Sequence, residues 1–232
     1  SGFGSTDNPG THKGHHMDTP IDIAFTESVK ALQTARGSRT NYARMAEAGV
    51  WSSPLSPDAT AFVAEQESVF FGTANADGQP YIQHRGGPAG FVRVLDSRTL
   101  AFADFRGNRQ YISHGNLVDN SRAFLFLMDY SIPQRLKIWG EAEVVEDAGL
   151  TASLMPPDYR ARAERAIVFT VHLWDFNCRA HIPRRISLDA VNAAIAERDQ
   201  RILELESLLQ RQGVTKHTTI RQNDTAHSET AQ

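Results

Sequence analysis

The sequence has a single cysteine, no long apolar run and no excess of positive charge. Because Cys178 has no second cysteine to pair with, an internal disulfide is excluded, which is typical of a protein from a reducing cytoplasm. No run of about 18 apolar residues is present, so no transmembrane helix is expected. Lys and Arg number 24 against 27 Asp and Glu, and the net charge of −3 gives no basic field that would attract nucleic acid. We therefore expect a cytoplasmic globular protein that binds neither membranes nor nucleic acid.

Composition and apolar pattern divide the chain into five segments. The start is polar, contains His12, His15 and His16, and lacks the apolar stretch of a secretory signal, so we interpret it as an expression leader and not as a metal site. Helical spacing follows, then a strand-rich region, a long helix and a polar end without periodicity. The predicted segments are the leader (1–16), an N-terminal helical segment (17–55), a barrel domain (56–185), a coiled-coil-like helix (186–212) and a disordered tail (213–232).

The pattern after residue 56 changes from helical to strand-like spacing. Ser56-Pro57-Asp58 is typical of a helix start, and Asp77-Gly78 is typical of a hairpin turn. The stretch from Arg122 to Tyr130 is almost continuously apolar, which predicts a strand buried on both faces. Short strands with close turns indicate a mainly β (α+β) barrel with peripheral helices and a C-terminal helix, not a parallel α/β sheet. The predicted strands span residues 69–74, 81–85, 91–95, 99–104, 122–130, 136–145 and 166–176.

A heptad-like spacing marks the helix that begins at Ser187. Apolar residues recur at intervals of four, seven, three and four, and Arg198 occupies the one missing position of this coiled-coil seam. Because the helix is too short to be very stable alone, we expect it to pair with a copy of itself or to pack on the barrel. The apolar seam residues are Val191, Ile195, Ile202, Leu205 and Leu209.

The segment from Phe102 to Tyr111 is a candidate anion site. A strand ends near Asp104, a loop containing Gly107 follows, and a helix is predicted from Asn108 to Val118. Free N–H groups at a helix N-terminus bind phosphate with the help of the helix dipole, and arginine guanidinium groups match phosphate oxygens. The alternative is a surface loop whose arginines pair with carboxylates. The candidate donors are Arg106, Asn108, Arg109 and Gln110.

The strand that precedes Gly86-Gly87 offers a second polar surface. Glycines after a polar strand end suit a flat polar ligand lying against exposed backbone, and the alternative is a kinked barrel strand with a solvated end. Their spacing is not that of a Rossmann nucleotide fingerprint. Strand alternation places Tyr81, Gln83 and Arg85 on one face and Ile82 and His84 on the other.

Cys178 and His181 have the spacing of half a metal site. No second Cys/His pair completes the site, so zinc is not expected. The two residues could also act as nucleophile and base, but nothing else in the sequence supports hydrolysis. The simpler interpretation of Cys178 is a small buried apolar residue.

Together these segments resemble the FMN-binding split-barrel proteins related to pyridoxamine 5′-phosphate oxidase. The resemblance covers about Ser56 to Pro183, and the order and spacing of its motifs are more specific than any single motif. The motifs are GQPYIQHRGGPAGF, LAFADFRGNRQYISHGNL, AFLFLMDY, RLKIWGEAEVVED and WDFNCRAHIPRR.

The resemblance implies a homodimer with two FMN molecules at the subunit interface. It assigns the phosphate to residues 108–110, with Asp104 near the phosphate and ribityl chain, and it places the strand at 83–86 along the isoalloxazine and ribityl groups. Arg135 is placed at the polar edge of the ring, and a C-terminal segment contributes across the dimer. The residues implied to bind FMN are Gln83, His84, Arg85, Gly86, Asp104, Asn108, Arg109, Gln110, Arg135, Trp174, Asn177 and His181.

The same resemblance implies an FMN-dependent oxidoreductase that acts on a small molecule, with no catalytic acid or base assigned. Gln83 stands where the authentic oxidases have Arg, and Gly87-Pro88 stands near their Lys, so pyridoxine or pyridoxamine phosphate is not the expected substrate. One alternative is a non-catalytic flavin-binding sensor or carrier dimer. Another is a split barrel that uses haem or a deazaflavin. The histidines that could ligate haem iron are His84, His114, His172 and His181.

Overall fold

The computed structural model describes residues 20–49, 51, 53–177 and 180–212, with only the backbone of Asn177. The predicted leader, Cys178 and the predicted tail lie outside the described residues. The chain divides between Arg184 and Arg185 into two compact units. The first contains the barrel, and the second contains the long helix.

The first unit is built on one antiparallel sheet of seven strands within the described residues, in the order β2-β1-β5-β6-β7-β4-β3. The prediction of a mainly β split barrel with peripheral helices is confirmed. The strands are β1 (Ser68–Ala74), β2 (Pro80–Gly86), β3 (Arg93–Asp96), β4 (Thr99–Phe105), β5 (Arg122–Asp129), β6 (Gln134–Val145) and β7 (Ala163–Asn177).

Short helices surround this sheet. The helix start predicted at Ser56 is confirmed, because the Ser56 hydroxyl accepts a hydrogen bond from the backbone N–H of Ala59 at 3.1 Å and Pro57 is the first helical residue. The helices are α1 (Glu27–Ala35), α2 (Arg39–Glu47), α3 (Pro57–Ala64), α4 (Ile112–Asp119) and α5 (Ala148–Ser153), with a 3₁₀ turn at Pro20–Ile23 and α6 (Leu188–Arg211) in the second unit.

Strand β5 was predicted to be buried on both faces, and this is wrong for one of them. Leu125 and Leu127 are fully buried in the main core, whereas Phe124 and Phe126 on the other face are only half-buried. Aromatic rings cover that outer face in part, since Phe124 packs against Trp139 with ring centroids 5.0 Å apart. Residual exposure of large apolar side chains leaves room for a further partner there.

The predicted third strand begins two residues later than expected, at Arg93. Phe91 and Val92 lie in the turn before it and are buried in the core. A Cβ atom on Gly87 would lie 2.7 Å from the Cβ of Phe91, so Gly87 is required for the phenyl ring to reach the core. The structure therefore gives Gly87 a packing role.

The N-terminal helical segment contributes an aromatic cluster to the outer face of the sheet. The ring of Trp51 lies 4.9 Å from that of Phe25 and 5.9 Å from that of Trp139. The ammonium group of Lys137 lies over both indole rings and pairs with the buried Asp175 carboxylate at 3.2 Å. This segment thus covers the β6–β7 part of the outer face.

The second unit contains α6, which begins after a Ser187 cap whose hydroxyl accepts from the N–H of Ala190 at 3.2 Å. Its 24 residues include the predicted heptad seam. Among the described residues, none of the helices combines the length and apolar character that crossing a bilayer needs.

Candidate functional site

The loop between β4 and α4 differs from the sequence prediction. The helix was expected from Asn108 but begins at Ile112, because two residues before it adopt left-handed backbone conformations, with φ of 59° at Arg109 and 56° at Tyr111. The side chain of Asn108 also accepts a hydrogen bond from the N–H of Gln110 at 3.2 Å, which stabilises a turn and not a helix. Residues 108–110 therefore belong to a strained loop.

The N-terminus of α4 still offers free backbone donors. The first helical hydrogen bond runs from the N–H of Gly115 to the carbonyl of Tyr111 at 2.9 Å, and no side chain caps the helix. The N–H groups of Ile112, Ser113 and His114 thus have no helical acceptor. The free donors of the helix N-terminus therefore come four residues later in the chain than the sequence predicts.

A cleft, called here the α4 cleft, opens between β2, the end of β4, this loop and the start of α4. Ile112, Ser113 and His114 line it, together with Tyr111, Glu164 and others. It brings together six of the twelve residues that the resemblance implied. They are Gln83, Arg85, Asp104, Asn108, Arg109 and Gln110.

The carboxylate of Asp104 is the centre of a buried charge cluster at the base of the cleft. Its side chain is only 7% exposed. It pairs with the Nη1 of Arg85, and its Oδ2 atom lies 2.9 Å from Nε2 of His114 and 3.8 Å from Nε of Arg165. Among the described residues, Nε of Arg85 and Nε of Arg165 are buried donors without a hydrogen-bond partner. Such donors are costly unless an acceptor reaches them, so the cluster has capacity for an oxygen-rich ligand.

His114 links this cluster to α4. Its pKa is lowered from the ordinary value of 6.5, mainly by burial; Arg165 and Arg85 lower it further, while Asp104 opposes the shift. The geometry also favours the neutral ring. Asp104 can only accept from Nε2–H, and Nη1 of Arg165, 3.4 Å from Nδ1, can only donate. His114 is therefore held neutral, with its proton on Nε2.

The sequence leaves two roles open for the arginines of this loop: binding an anion, or pairing with a carboxylate on the surface. Arg106 is half-exposed and lies 3.8 Å from the Glu164 carboxylate, as expected of a surface arginine. Arg109 lines the cleft, and its Nε–H donates to the Tyr111 hydroxyl at 2.8 Å. Its guanidinium carbon lies 5.9 Å from the centre of the same ring. The Tyr111 hydroxyl therefore holds Arg109 at the cleft, and Tyr111 and the nearby Glu164 carboxylate raise the pKa of its guanidinium group.

Two neutral hydrogen bonds attach α4 to the sheet beside the cleft. The Ser113 hydroxyl donates to Oε1 of Gln83 at 3.0 Å, and the buried Asn116 amide donates to the Thr73 hydroxyl at 3.0 Å. The position of the helix start relative to β2 is thus determined by side chains on its first two turns. Gln83 is engaged by this contact rather than free.

Five of the other six implied residues do not line the α4 cleft, and the side chain of the sixth, Asn177, lies outside the part of the chain that the structure describes. His84 lies on the outer face, because it pairs across the strands with Phe70, which pairs in turn with Phe126 of β5 and through it with Lys137 of β6. Arg135 lies two residues from Lys137 on β6 and so shares the outer face. Trp174 packs against the main core and donates to the Pro54 carbonyl at 2.9 Å. Gly86 ends β2, Asn177 ends β7, and His181 is exposed with a φ of 63°.

Sequence reasoning missed several residues at the cleft. Nothing in the sequence marks Ser113 or Tyr111 as a site residue beyond their position after the loop, and the sequence suggests His114 only as a haem ligand. Arg165 and Glu164 come from β7, more than fifty residues along the chain, and the pairing of Asp104 with Arg165 across β4 and β7 brings them to the site. No group of three metal-ligating side chains occurs in the part of the chain that the structure describes.

Comparison with known proteins identifies the family. The family model for pyridoxamine 5′-phosphate oxidase matches residues 55–178, more than half of the chain and all of the α4 cleft. No curated protein matches the sequence.

Three solved structures that are similar to this one carry different functional descriptions. A protein related to general stress protein 26 from Clostridium acetobutylicum is 16% identical, with a TM-score of 0.42, over 57% of this chain and 93% of that one. An FMN-binding protein from Syntrophomonas wolfei is 9% identical, with a TM-score of 0.42, over 62% and 97%. The heme storage protein HutZ from Vibrio cholerae is 15% identical, with a TM-score of 0.33, over 51% and 89%. By its match to the family model, the chain belongs to the pyridoxamine 5′-phosphate oxidase family.

Proposed function

We propose that the chain binds FMN, with the phosphate in the α4 cleft. The observation that carries the proposal is the convergence of Arg109, held by a neutral phenol, and the unpartnered buried Nε of Arg85 on one cleft. The free N–H groups at the start of α4 add donors that favour a dianion. Two charged groups and a helix terminus are the donor set that phosphate recognition needs.

Asp104 has a positioning role in this proposal. A carboxylate beside a phosphate site would repel the ligand, but here Arg85, Arg165 and the His114 N–H surround it. Asp104 therefore orients the Arg85 side chain, while the Nε of Arg85 stays available to a ligand oxygen. FMN itself, when bound, supplies the hydride or electron transfer, and the chain supplies binding and orientation.

We further propose a homodimer in which a second copy completes the site. Arg85 and Arg135 lie on opposite faces of the sheet, as the strand pairing requires, so one copy cannot direct both to the same ligand without the other subunit. Ile82 and Phe70 are exposed on the face that carries Arg135, and such apolar surface favours a subunit contact. The ring would lie where this face of one copy meets the cleft of the other.

A flavin-dependent oxidoreductase that acts on a small molecule is the activity we propose, in the cytoplasm. The non-catalytic sensor or carrier is the alternative. Steady-state assays with reduced nicotinamide cofactors, oxygen and candidate acceptors separate the two, because turnover with any of them contradicts a purely carrier role.

The cofactor is tested by the visible spectrum of the purified protein, by mass spectrometry of the released ligand and by titration of the ligand-free protein with FMN. A flavin spectrum and saturable FMN binding are expected. A colourless protein that does not bind added FMN would contradict the proposal, and a haem spectrum would replace it. Haem ligation by His114 is not favoured, since Asp104 and Arg165 already contact both of its ring nitrogens.

A further inference from the structure

The apolar seam of α6 lies on the surface of the chain. The exposed fraction of the seam residues and of Leu188, one turn before them, lies between 38% for Val191 and 73% for Leu188. A single helix of this length, about 36 Å at 1.5 Å per residue, gains little stability in water without a packed apolar face. The helix therefore needs a partner that covers this seam.

Heptad positions follow from the spacing of the seam. Position a is occupied by apolar residues without exception, and two of the four are Ile. Position d carries Val191 and Leu205, with Arg198 between them and Gln212 at the end. Ile at a with Leu at d favours two parallel strands, and a polar core residue restricts the register. The residues at a are Leu188, Ile195, Ile202 and Leu209.

The charges that flank the seam distinguish the two orientations of a helix pair. In a parallel pair, position g contacts position e of the next heptad in the partner. Arg201 at g then meets Glu206 of the second copy, and Arg198 at d packs beside Asp199 of the second copy at e. In an antiparallel pair centred on the seam, Arg201 would meet Arg201 and Asp199 would meet Asp199. Only the parallel pair gives Arg201 an opposite charge in the partner.

We propose that α6 forms a parallel, in-register, two-stranded coiled coil with α6 of a second copy of this chain. Within one chain, Arg201 pairs with Glu204 at 2.9 Å, and both side chains are largely exposed. Such an exposed pair is weak, so it does not prevent Arg201 from reaching the second helix. This association is independent of flavin binding and holds whether or not the α4 cleft takes FMN.

Disulfide trapping in the full chain tests the proposal. In a Cys178→Ser background, Leu205→Cys places a thiol at a d position, where the two copies face each other in the parallel pair. Mild oxidation is expected to give a disulfide-linked dimer. Leu203→Cys, on the same turn but at the outward b position, is the matched control and is expected to give a several-fold lower yield. Equal yields from the two variants would overturn the proposal.

A mixing experiment and a charge exchange determine the orientation. In an antiparallel pair, the two thiols introduced by Leu205→Cys would lie about 15 Å apart along the axis and would not form a disulfide. A thiol from Ile195→Cys would instead lie opposite one from Leu205→Cys. A disulfide between these two variants after mixing would therefore overturn the parallel arrangement. Arg201→Glu is expected to lower the Leu205→Cys dimer yield several-fold, and adding Glu206→Arg is expected to restore it. Failure of the second change to restore the yield would contradict the pairing of positions g and e.

Discussion

The Nε2 atom of His114 lies 2.9 Å from Oδ2 of Asp104, at the point where α4 meets the end of β4. Nδ1 of the same ring lies 3.4 Å from Nη1 of Arg165. An acceptor at one nitrogen and an obligate donor at the other fix the neutral ring with its proton on Nε2. A second proton on Nδ1 would point at a guanidinium group.

Acidification is expected to destabilise the fold through His114. Its pKa in the folded state is lowered, mainly by burial, so the unfolded chain binds a proton more readily than the folded one. The stabilising contribution is present above the ordinary pKa of 6.5 and is lost as the pH falls below that value towards the folded pKa. Urea unfolding at pH 7.5 and at pH 5.5 measures this loss. The unfolding free energy of His114→Gln should fall less between the two pH values than that of the unmodified protein.

The control for this experiment is His84→Gln, since His84 is exposed on the outer face. This variant makes the same change of side chain outside the charge cluster, and the pH dependence of His114→Gln is compared with it as well as with the unmodified protein. A His114→Gln variant with the same pH dependence as the unmodified protein would show that His114 does not titrate differently on folding.

Removal of the Asp104 charge is expected to be strongly destabilising. Asp104→Asn keeps the size of the side chain but leaves the cations of Arg85 and Arg165 without the carboxylate that faces both. Loss of one partner from a buried ion pair costs about 3–5 kcal/mol, which urea unfolding measures. Asp119→Asn, at the exposed end of α4, should change the unfolding free energy by less than about 0.5 kcal/mol. Equal effects of the two substitutions would contradict the role of the cluster.

The strands of the barrel could be predicted because alternation and turn residues are local signals. The hairpin at Asp77-Gly78 and the strand at 99–104 depend on neighbours within a few residues. The start of α4 could not be predicted in the same way. Asn108 and Arg109 have ordinary helix preferences, and the left-handed backbone at Arg109 and Tyr111 places both side chains in a cleft formed by distant strands.

The charge cluster was also beyond sequence reasoning. Arg165 reaches Asp104 only because β4 and β7 pair in a register that places the two residues opposite each other. That register is determined by the core residues of both strands and not by the charges themselves. The resemblance to a family supplied Asp104, Arg85 and Arg109 as candidates, but not His114 or Arg165 as their partners.

Arg109→Ala is expected to weaken FMN binding by at least about 1.5 kcal/mol, roughly tenfold, because it removes one charged hydrogen bond to phosphate. Riboflavin, which lacks the phosphate, should bind as before. Arg106→Ala is the matched control, since Arg106 lies on the same loop and pairs with Glu164 but is not among the residues that line the cleft. Fluorescence titration measures the affinities of the unmodified protein and both variants for FMN and for riboflavin. An unchanged FMN affinity in Arg109→Ala would refute the phosphate assignment.

Ile82→Lys is expected to weaken the proposed homodimer. Ile82 is 68% exposed and shares the outer face with Phe70, and a charge buried in an apolar contact is costly to desolvate. Measured in an Arg201→Glu background, which weakens the proposed α6 pair, sedimentation velocity should show more monomer, and FMN affinity should fall if the second copy completes the site. Val118→Lys, also at an exposed apolar residue but on α4, serves as the control. Dimerisation unaffected by Ile82→Lys in the Arg201→Glu background would exclude this face as the interface.

Tyr111→Phe tests whether the phenol acts through Arg109. The substitution keeps the ring next to the guanidinium group but removes the oxygen that accepts from Nε at 2.8 Å, so Arg109 samples more conformations. FMN affinity is expected to fall several-fold, by less than in Arg109→Ala, while riboflavin affinity is unchanged. In an Arg109→Ala background the same substitution should have no further effect, because the side chain it positions is absent. Additive losses in the double variant would instead mean that Tyr111 contacts the ligand directly, independently of Arg109.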